Sequence, residues 1–284
     1  MPVVRSHDEL ELAVHELGGR PDAPVLLISH ATGFHGRMYQ PLADAGLTEH
    51  FRCVAPDLRG HGDSPATAAQ VSDWNRFGDD LLTIVDELGL VSGDRPLHGF
   101  GHSMGGAALA LAEVARPGTF AGLWLFEPIL PPPLSLPFEG PNPMADLAER
   151  RREVFASVEA AIDNFSSKPP LSVFTPETMR AYVEHGFAPQ ADGTVRLKCR
   201  AAVEAATFRG APAHHAFSRL GEVACPVVVG VGATRDPGPA AFADAVIAQL
   251  PRGRVERFDH LGHFAPQESP AEVAAAVATA FPRQ

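Results

Sequence analysis

The sequence has few cysteines, no long apolar run and no excess of positive charge. Its three cysteines are an odd number and lie far apart, which excludes a disulfide framework and is typical of free buried thiols in a reducing compartment. No segment approaches about eighteen uninterrupted apolar residues, so we expect no membrane span. The opening stretch "MPVVRSHDELEL" lacks a basic region followed by an apolar one, so we expect no signal peptide and a cytoplasmic location.

The charge balance is acidic, with a formal net charge of −11 at pH 7. Nucleic acids and anionic membranes repel an acidic surface, so neither is expected as a partner. The chain has 284 residues, of which 45% are hydrophobic. This length and composition suit one large domain, or one domain that carries an insertion.

Short apolar runs of strand length alternate with segments in which apolar residues recur at helical spacing. This alternation predicts an α/β fold with a mostly parallel central sheet and helices on both faces. Continuous apolar runs of this kind are typical of strands buried on both faces. The strand predictions rest on "VLLISH" (25–30), "FRCVAPD" (51–57), "RPLHGFG" (95–101), "FAGLWLFEP" (120–128), "CPVVVGVG" (225–232) and "RVERFD" (254–259).

The alternation stops between about residues 128 and 222. The stretch "PILPPPLSLPFEGPNP" (128–143) is too rich in proline for the interior of a strand or helix. Helical patterns without a clear strand follow it. We therefore predict a core domain made of residues 1–127 and 223–284, with a helical cap, residues 128–222, inserted into it.

A serine lies in a tight turn between a predicted strand and a predicted helix. The pentapeptide "GHSMG" (101–105) places Ser103 between Gly101 and Gly105 and matches the G-x-S-x-G pattern of a nucleophile elbow. The sharp turn strains the backbone, so the residues two positions before and after the serine must be small. The turn also directs the free N–H groups of the helix N-terminus toward the serine side chain. This context predicts a catalytic serine.

Three further motifs accompany the elbow. "HATGFHG" (30–36) and "DLRGHGDS" (57–64) precede it in the chain, and "LGHF" (261–264) follows it. With these motifs the chain resembles the α/β-hydrolase family over nearly its whole length apart from the cap. The resemblance implies an α/β-hydrolase fold, a Ser-His-acid triad and an oxyanion hole. No cofactor is implied, and the histidines offer no convincing set of metal ligands.

The resemblance places the general base in the loop after the last strand, because a serine hydroxyl needs a base within hydrogen-bonding reach. His263 follows Gly262, as in the family pattern. His260 lies three residues earlier and is the alternative. We predict that His263 is the base.

Two carboxylates compete for the third position of the triad. The family usually supplies an aspartate after the seventh strand, where this chain offers Asp236, one residue later than the usual spacing. Some relatives carry the acid after the sixth strand, where this chain has Glu127 at the end of "GLWLFEP". A carboxylate that ends so apolar a strand is costly unless it has a partner. We predict Glu127 and keep Asp236 as the alternative.

The oxyanion of a tetrahedral intermediate needs two N–H donors. The backbone amide of Met104, directly after the nucleophile, supplies one in this family. The other comes from the loop after "VLLISH", where Ala31 replaces the usual glycine, so we predict Thr32 and keep Ala31 as the alternative. Three residues of the second motif are expected to brace this loop, namely Asp57, Arg59 and Gly60.

The resemblance therefore predicts a serine hydrolase that cleaves a carboxylic ester or lactone through an acyl-enzyme. Carbon–carbon bond hydrolysis, thioester cleavage and perhydrolysis use the same triad and are alternatives, and some proteins of this fold bind ligands with little turnover. We expect a small, largely apolar substrate, and a homodimer is one assembly left open. Seven phenylalanines of the cap either line the pocket or form the cap's own core: Phe138, Phe155, Phe165, Phe174, Phe187, Phe208 and Phe217.

Overall fold

The computed structural model describes residues 2–93, 95–133, 142–233 and 238–281. Asp236 and Phe138, both considered above, lie outside the described residues. Eleven strands occur in the described parts of the chain: β1 Val3–Arg5, β2 Glu11–Gly18, β3 Val25–Ser29, β4 Arg52–Pro56, β5 Leu97–His102, β6 Gly122–Phe126, β7 Val154–Phe155, β8 Phe187–Pro189, β9 Val195–Leu197, β10 Val227–Gly232 and β11 Gly253–Phe258.

The helices alternate with these strands in the segments predicted as the core and predominate in the segment predicted as a cap. The α-helices are α1 Gln40–Asp44, α2 Ala68–Val71, α3 Asn75–Glu87, α4 Met104–Ala115, α5 Pro143–Glu149, α6 Val158–Ser166, α7 Pro176–Gly186, α8 Ala201–Gly210, α9 Ala216–Arg219, α10 Ala243–Gln249, α11 Ala265–Glu268 and α12 Pro270–Ala280. Short 3₁₀ helices span Gly36–Tyr39, Leu47–Glu49, Leu171–Val173, Ala211–Ala213, Leu220–Glu222 and Pro239–Phe242. No helix in the described ranges is long and apolar enough to cross a membrane.

Eight strands form the central sheet, in the order β1-β2-β4-β3-β5-β6-β10-β11. The first two pairings are antiparallel and the others are parallel. All residues of β3, β6 and β10 are buried, as expected for central parallel strands with both faces covered. The carboxyl ends of β3, β5, β6 and β11 meet at one edge of the sheet, so the loops that follow them lie side by side.

Helices cover both faces of the sheet because successive strand residues point to opposite sides. Leu27 of β3 packs in a core cluster with residues of α3 and α4. Its neighbours Leu26 and Ile28 pack in a second cluster with residues of α1 and α12. The predicted fold class, an α/β-hydrolase fold with a mostly parallel sheet between helices, is confirmed.

The segment predicted as a cap contains helices α5 to α9, but it differs from the prediction in one respect. A small antiparallel sheet, β7-β9-β8, joins these helices, whereas the sequence interpretation found no strand there. Its strands have only two or three residues, too few to show an alternating pattern. The sequence "ADGT" contains the signal that was missed, because Gly193 follows Asp192 with φ +83° in the turn between β8 and β9.

Candidate active site

Ser103 occupies a strained turn between β5 and α4. Its backbone has φ 54° and ψ −117°, a left-handed conformation that non-glycine residues avoid. Neighbouring backbone explains the small residues around it: a Cβ on Gly105 would lie 2.0 Å from the Ser29 carbonyl oxygen, and one on Gly101 would lie 2.6 Å from Gly106 Cα. The sequence folds as the nucleophile-elbow pattern requires, and Ser103 is 7% exposed.

Glu127 follows β6 directly and is buried, with both of its carboxylate oxygens in use. Oε2 lies 2.5 Å from His263 Nδ1, and Oε1 accepts a hydrogen bond of 2.9 Å from the amide of Gly232 at the end of β10. The partner that the burial of this carboxylate required is therefore the histidine of the "LGHF" motif. The structure thus brings Glu127 into contact with that imidazole.

His263 lies in the loop between β11 and α11, and its side chain is 30% exposed. A carboxylate only accepts hydrogen bonds, so the contact with Glu127 assigns the proton of the neutral ring to Nδ1 and leaves Nε2 as the basic atom. Among the described residues, no hydrogen bond joins Ser103 Oγ to this nitrogen. Contacts of this kind are often long in the free state of an enzyme and shorten when substrate binds.

The alternative histidine lies elsewhere. His260 is on the surface, with a side chain that is 65% exposed, and its Nε2 lies 3.0 Å from Glu272 Oε2. The structure brings His263, and not His260, next to the carboxylate that follows β6.

The loop after β3 contacts the residue that follows the serine. Thr32 Oγ1 lies 3.4 Å from Met104 Sδ, so this loop and the first residue of α4 are adjacent. The Ala31 amide donates to the Tyr39 hydroxyl at 3.3 Å. No hydrogen bond between described residues uses the amide of Thr32 or of Met104. The Ala31 amide is thus engaged, whereas the two amides predicted for the oxyanion are free.

A buried polar network braces this loop from below. His30 Nδ1 donates to the Ala31 carbonyl at 2.8 Å, and its Nε2 accepts from the Leu58 amide at 2.9 Å. Burial lowers the pKa of His30 to about 3, which keeps the ring neutral. Asp57 accepts hydrogen bonds of 2.7 Å from the amides of Gly36 and Asp63. These contacts tie the "HATGFHG" and "DLRGHGDS" motifs together.

Arg59 and Gly60, from the same motif, also have close contacts with the surrounding structure. Its guanidinium makes two hydrogen bonds of 2.6 Å to the carboxylate of Asp80, and both side chains are only 2% exposed. Gly60, with φ +79°, packs under the cap, where a Cβ would lie 2.7 Å from Val203 Cγ1 of α8. Their contacts suit the bracing role expected from the sequence.

One group of three side chains offers atoms at metal-ligand spacing. Atoms of His15, Asp57 and Asp63 lie within 4.8 Å of one another. Lys198 Nζ, however, lies 2.7 Å from Asp63 Oδ1, and Asp57 already accepts two backbone amides. These contacts favour an internal hydrogen-bond network over a cation site.

A charged pair of the cap lies over Gly33, beside the predicted oxyanion amide. Arg151 Nη1 donates to Glu204 Oε2 at 2.7 Å, and Arg151 Nη2 contacts the Tyr182 hydroxyl. A Cβ on Gly33 would lie 2.4 Å from Glu204 Oε1 and 3.4 Å from Arg151 Nη1. Sequence reasoning missed this pair, because no local pattern relates residues so far apart in the chain.

The cap phenylalanines have different surroundings. Phe174 packs against Phe34 and Phe264, with ring centroids 5.8 and 5.5 Å apart, and Phe264 directly follows His263. Three others contact one another and belong to, or pack against, the core cluster that contains Leu26 and Ile28 of β3: Phe155, Phe165 and Phe187. Phe208 packs on a small cluster of cap alanines, and Phe217 packs against the main core. Of the six described, only Phe174 has a ring contact with the residue next to His263.

Tyr39 and His102 are two further residues without a role from the sequence. His102 directly precedes Ser103, and both side chains are buried. His102 Nδ1 lies 2.8 Å from the Tyr39 hydroxyl, and its Nε2 lies 2.8 Å from the carbonyl oxygen of His263. The "GHSMG" pattern alone gives no indication of these partners.

Comparison with known proteins identifies the family of the chain and its fold. The sequence pattern of the alpha/beta hydrolase family matches residues 25–276. Human monoglyceride lipase is 37% identical over 112 residues, which are 39% of this chain and 37% of that protein. Lipase LipV of Mycobacterium tuberculosis is 38% identical over 119 residues, 42% of each chain. These two matches span less than half the length of either relative.

The similarity in fold to a solved structure covers nearly the whole chain. The crystal structure of E-2-(acetamidomethylene)succinate hydrolase superimposes with a TM-score of 0.78 at 21% identity and covers 98% of this chain and 97% of that one. At this level of identity the likeness concerns the fold. With the family match over residues 25–276, the sheet order and the serine turn, this chain belongs to the alpha/beta hydrolase family.

Proposed function

We propose that the chain is a serine hydrolase of carboxylic esters or lactones, with Ser103 as nucleophile, His263 as general base and Glu127 as the orienting acid. One observation carries the proposal: Glu127 Oε2 lies 2.5 Å from His263 Nδ1, in the loops beside a serine in a strained elbow. A carboxylate in this position fixes the tautomer of the imidazole and balances the charge of the imidazolium.

The proposed reaction has two halves. Ser103 Oγ attacks the carbonyl carbon while His263 Nε2 takes its proton, and the resulting oxyanion accepts hydrogen bonds from the amides of Met104 and Thr32. The carbon–oxygen bond then breaks, and His263 returns the proton to the leaving alcohol. A water molecule repeats these steps on the acyl-enzyme, which releases the acid and restores Ser103.

The relatives favour an ester as substrate. Both human monoglyceride lipase and Lipase LipV carry the name of a lipase, a hydrolase of carboxylic esters. The rings of Phe34 and Phe264 pack near His102, which supports a largely apolar substrate. Arg151 and Glu204 add one polar wall beside Gly33, so the proposed substrate is apolar with a hydrogen-bonding group near its carbonyl.

The division of the chain is a proposal of the same kind. Residues 128–222 form the proposed cap, and residues 1–127 with 223–284 form the proposed core. Tyr182 and Glu204 of the proposed cap contact the site, through Phe34 and Gly33 respectively.

All three cysteines are free and buried, which supports a reducing compartment such as the cytoplasm. Gel filtration tests whether the protein is a homodimer.

The test uses a panel of p-nitrophenyl esters of increasing acyl length, simple lactones, one thioester and one carbon–carbon bond substrate. A fluorophosphonate probe, which reacts only with an activated serine, is applied to the same preparation. We expect labelling at Ser103 and turnover of esters or lactones above the other classes. Labelling without turnover would favour a ligand-binding protein, and faster thioester or carbon–carbon cleavage would replace the ester proposal.

A further inference from the structure

A buried chain of hydrogen bonds connects the two loops that flank Ser103. The Ala31 amide donates to the Tyr39 hydroxyl at 3.3 Å, and that hydroxyl lies 2.8 Å from His102 Nδ1. His102 Nε2 then lies 2.8 Å from the carbonyl oxygen of His263. Each of the two side chains in the middle of this chain is at most 1% exposed.

The partners fix the direction of every hydrogen bond. The His263 carbonyl only accepts, so the proton of the neutral His102 ring is on Nε2. Nδ1 is then an acceptor and takes the hydroxyl proton of Tyr39. The hydroxyl oxygen in turn accepts the Ala31 amide. All donors therefore point the same way, from the loop after β3 to the loop after β11.

His102 stays neutral in this position. Burial lowers the pKa of His102 well below its usual value, and the nearby His263 and His30 lower it further. The rings of His102 and His263 have centroids 5.0 Å apart, so a proton on His263 opposes a second one on His102. His102 thus does not compete for the proton that the proposed base takes from Ser103.

We infer that Tyr39 and His102 are positioning residues that hold the proposed oxyanion amide and the proposed base in the positions that the reaction at Ser103 requires. The inference rests on the proposed function. Ala31 precedes Thr32, and the His263 carbonyl belongs to the residue whose imidazole reacts. His102 itself precedes Ser103, so this one residue is linked to the nucleophile through the backbone, to His263 through its ring and to Ala31 through Tyr39. Misplacement of reacting groups by about 1 Å can cost about a hundredfold in rate.

Ordinary core hydrogen bonds would have a different effect. If the two residues only stabilised the fold, their loss would lower the free energy of unfolding without a specific change in the folded enzyme. If they position the loops, the folded variants react slowly while KM changes little. The distinction therefore requires a rate measured on folded protein.

The experiment measures three quantities on each variant: the rate of fluorophosphonate labelling at Ser103, kcat and KM on the best ester of the panel, and the free energy of unfolding in urea. The variants are Tyr39→Phe, His102→Ala and His102→Gln, with the double variant Tyr39→Phe/His102→Ala. His98→Gln is the matched control, because His98 is a mostly buried histidine at the other end of β5 and stacks on Phe281 instead.

We expect Tyr39→Phe and His102→Ala to label at least about tenfold more slowly, with KM changed less than about threefold. The glutamine of His102→Gln can place an N–H near the former Nε2 and donate to the His263 carbonyl, so this variant recovers part of the loss. The double variant is about as slow as the slower single one, because either change breaks the same chain. His98→Gln labels at the wild-type rate.

Folded Tyr39→Phe and His102→Ala proteins that label like His98→Gln would overturn the inference. So would a His102→Gln protein no faster than His102→Ala. Tyr39→Phe removes a single oxygen and keeps the inference testable if His102→Ala does not fold. A wild-type protein that is not labelled at Ser103 would instead overturn the proposed function, and this inference with it.

Discussion

Ser103 and Glu127 directly follow adjacent parallel strands, β5 and β6, and both have left-handed backbones with φ 54° and 40°. The Ser103 amide donates to the carbonyl of Phe126, directly before Glu127, at 2.9 Å. A non-glycine residue in this region costs about 1–3 kcal/mol. The two strained residues are therefore neighbours at the same edge of the sheet, where the proposed nucleophile and the proposed acid lie.

The nucleophile is tested by Ser103→Ala. We expect hydrolysis to fall by about three to six orders of magnitude with the fold intact, because the triad members act as a unit. Ser29→Ala is the control: Ser29 is another buried serine at the end of a neighbouring strand, and its Oγ has no partner among the described residues. A Ser103→Ala enzyme with a tenth of the wild-type activity would refute the assignment.

The acid is tested by replacing each candidate carboxylate with its amide. Glu127→Gln should lose at least about a hundredfold in kcat, because an amide in contact with Nδ1 no longer holds the tautomer or balances the charge. Asp236→Asn should lose less than about tenfold. Steady-state kinetics on one ester measures both. The opposite order of severity would assign the acid to Asp236.

The base is tested by two alanine variants. His263→Ala should lose about three orders of magnitude or more in kcat/KM, as expected when a general base is removed. His260→Ala should lose less than about tenfold, because this histidine pairs with Glu272 on the surface. If His260→Ala were the more damaging change, the base would have to be reassigned.

Buried histidines make the folded state sensitive to acid. Burial lowers the pKa of His30 and His35 to about 3 and of His98 and His214 to about 4. An unfolded chain binds these protons below about pH 6.5, whereas the folded chain does not, so the free energy of unfolding falls as pH drops from there toward the folded values. Each group contributes about 1.4 kcal/mol per pH unit inside this range. Urea titrations from pH 7.5 to 4.5 measure the slope.

Single variants identify the groups responsible for this slope. His98→Gln should reduce it by about 1.4 kcal/mol per pH unit between about pH 5.5 and 4.5, because one fewer proton distinguishes the two states. His260→Gln is the matched control, because it makes the same substitution at a surface histidine whose side chain is 65% exposed. Equal slopes for the wild type and His98→Gln would show that His98 binds its proton in the folded state too.

Local patterns predicted those parts of the fold and site that depend on local chain geometry. The elbow around Ser103 is visible in the sequence because a strained turn requires glycines at fixed positions. Glu127 is predicted as the acid because a carboxylate at the end of an apolar strand needs a partner and because some relatives carry the acid after the sixth strand. The sequence does not show that its partner is His263, 136 residues away.

Contacts set by long-range packing could not be predicted. Arg151 and Glu204, 53 residues apart in the chain, pair over Gly33 because tertiary packing brings them next to the loop after β3. Likewise, the sequence does not show that the Ala31 amide donates to the Tyr39 hydroxyl, the contact that favours Thr32 for the proposed oxyanion hole. The three short strands β7, β8 and β9 were missed because two or three residues are too few to show an alternating pattern of polar and apolar side chains.

The contact that Glu127, directly after β6, makes with His263 has a consequence for engineering. Its carboxylate takes both the Gly232 amide and the His263 ring, so the chain between β10 and the 3₁₀ helix Pro239–Phe242 supplies no member of the proposed triad. If Glu127 is the acid, we expect a peptide tag or sensor domain inserted in that connection to leave Ser103 reactive. A hydrolase whose acid follows β10 would lose its reaction to the same insertion.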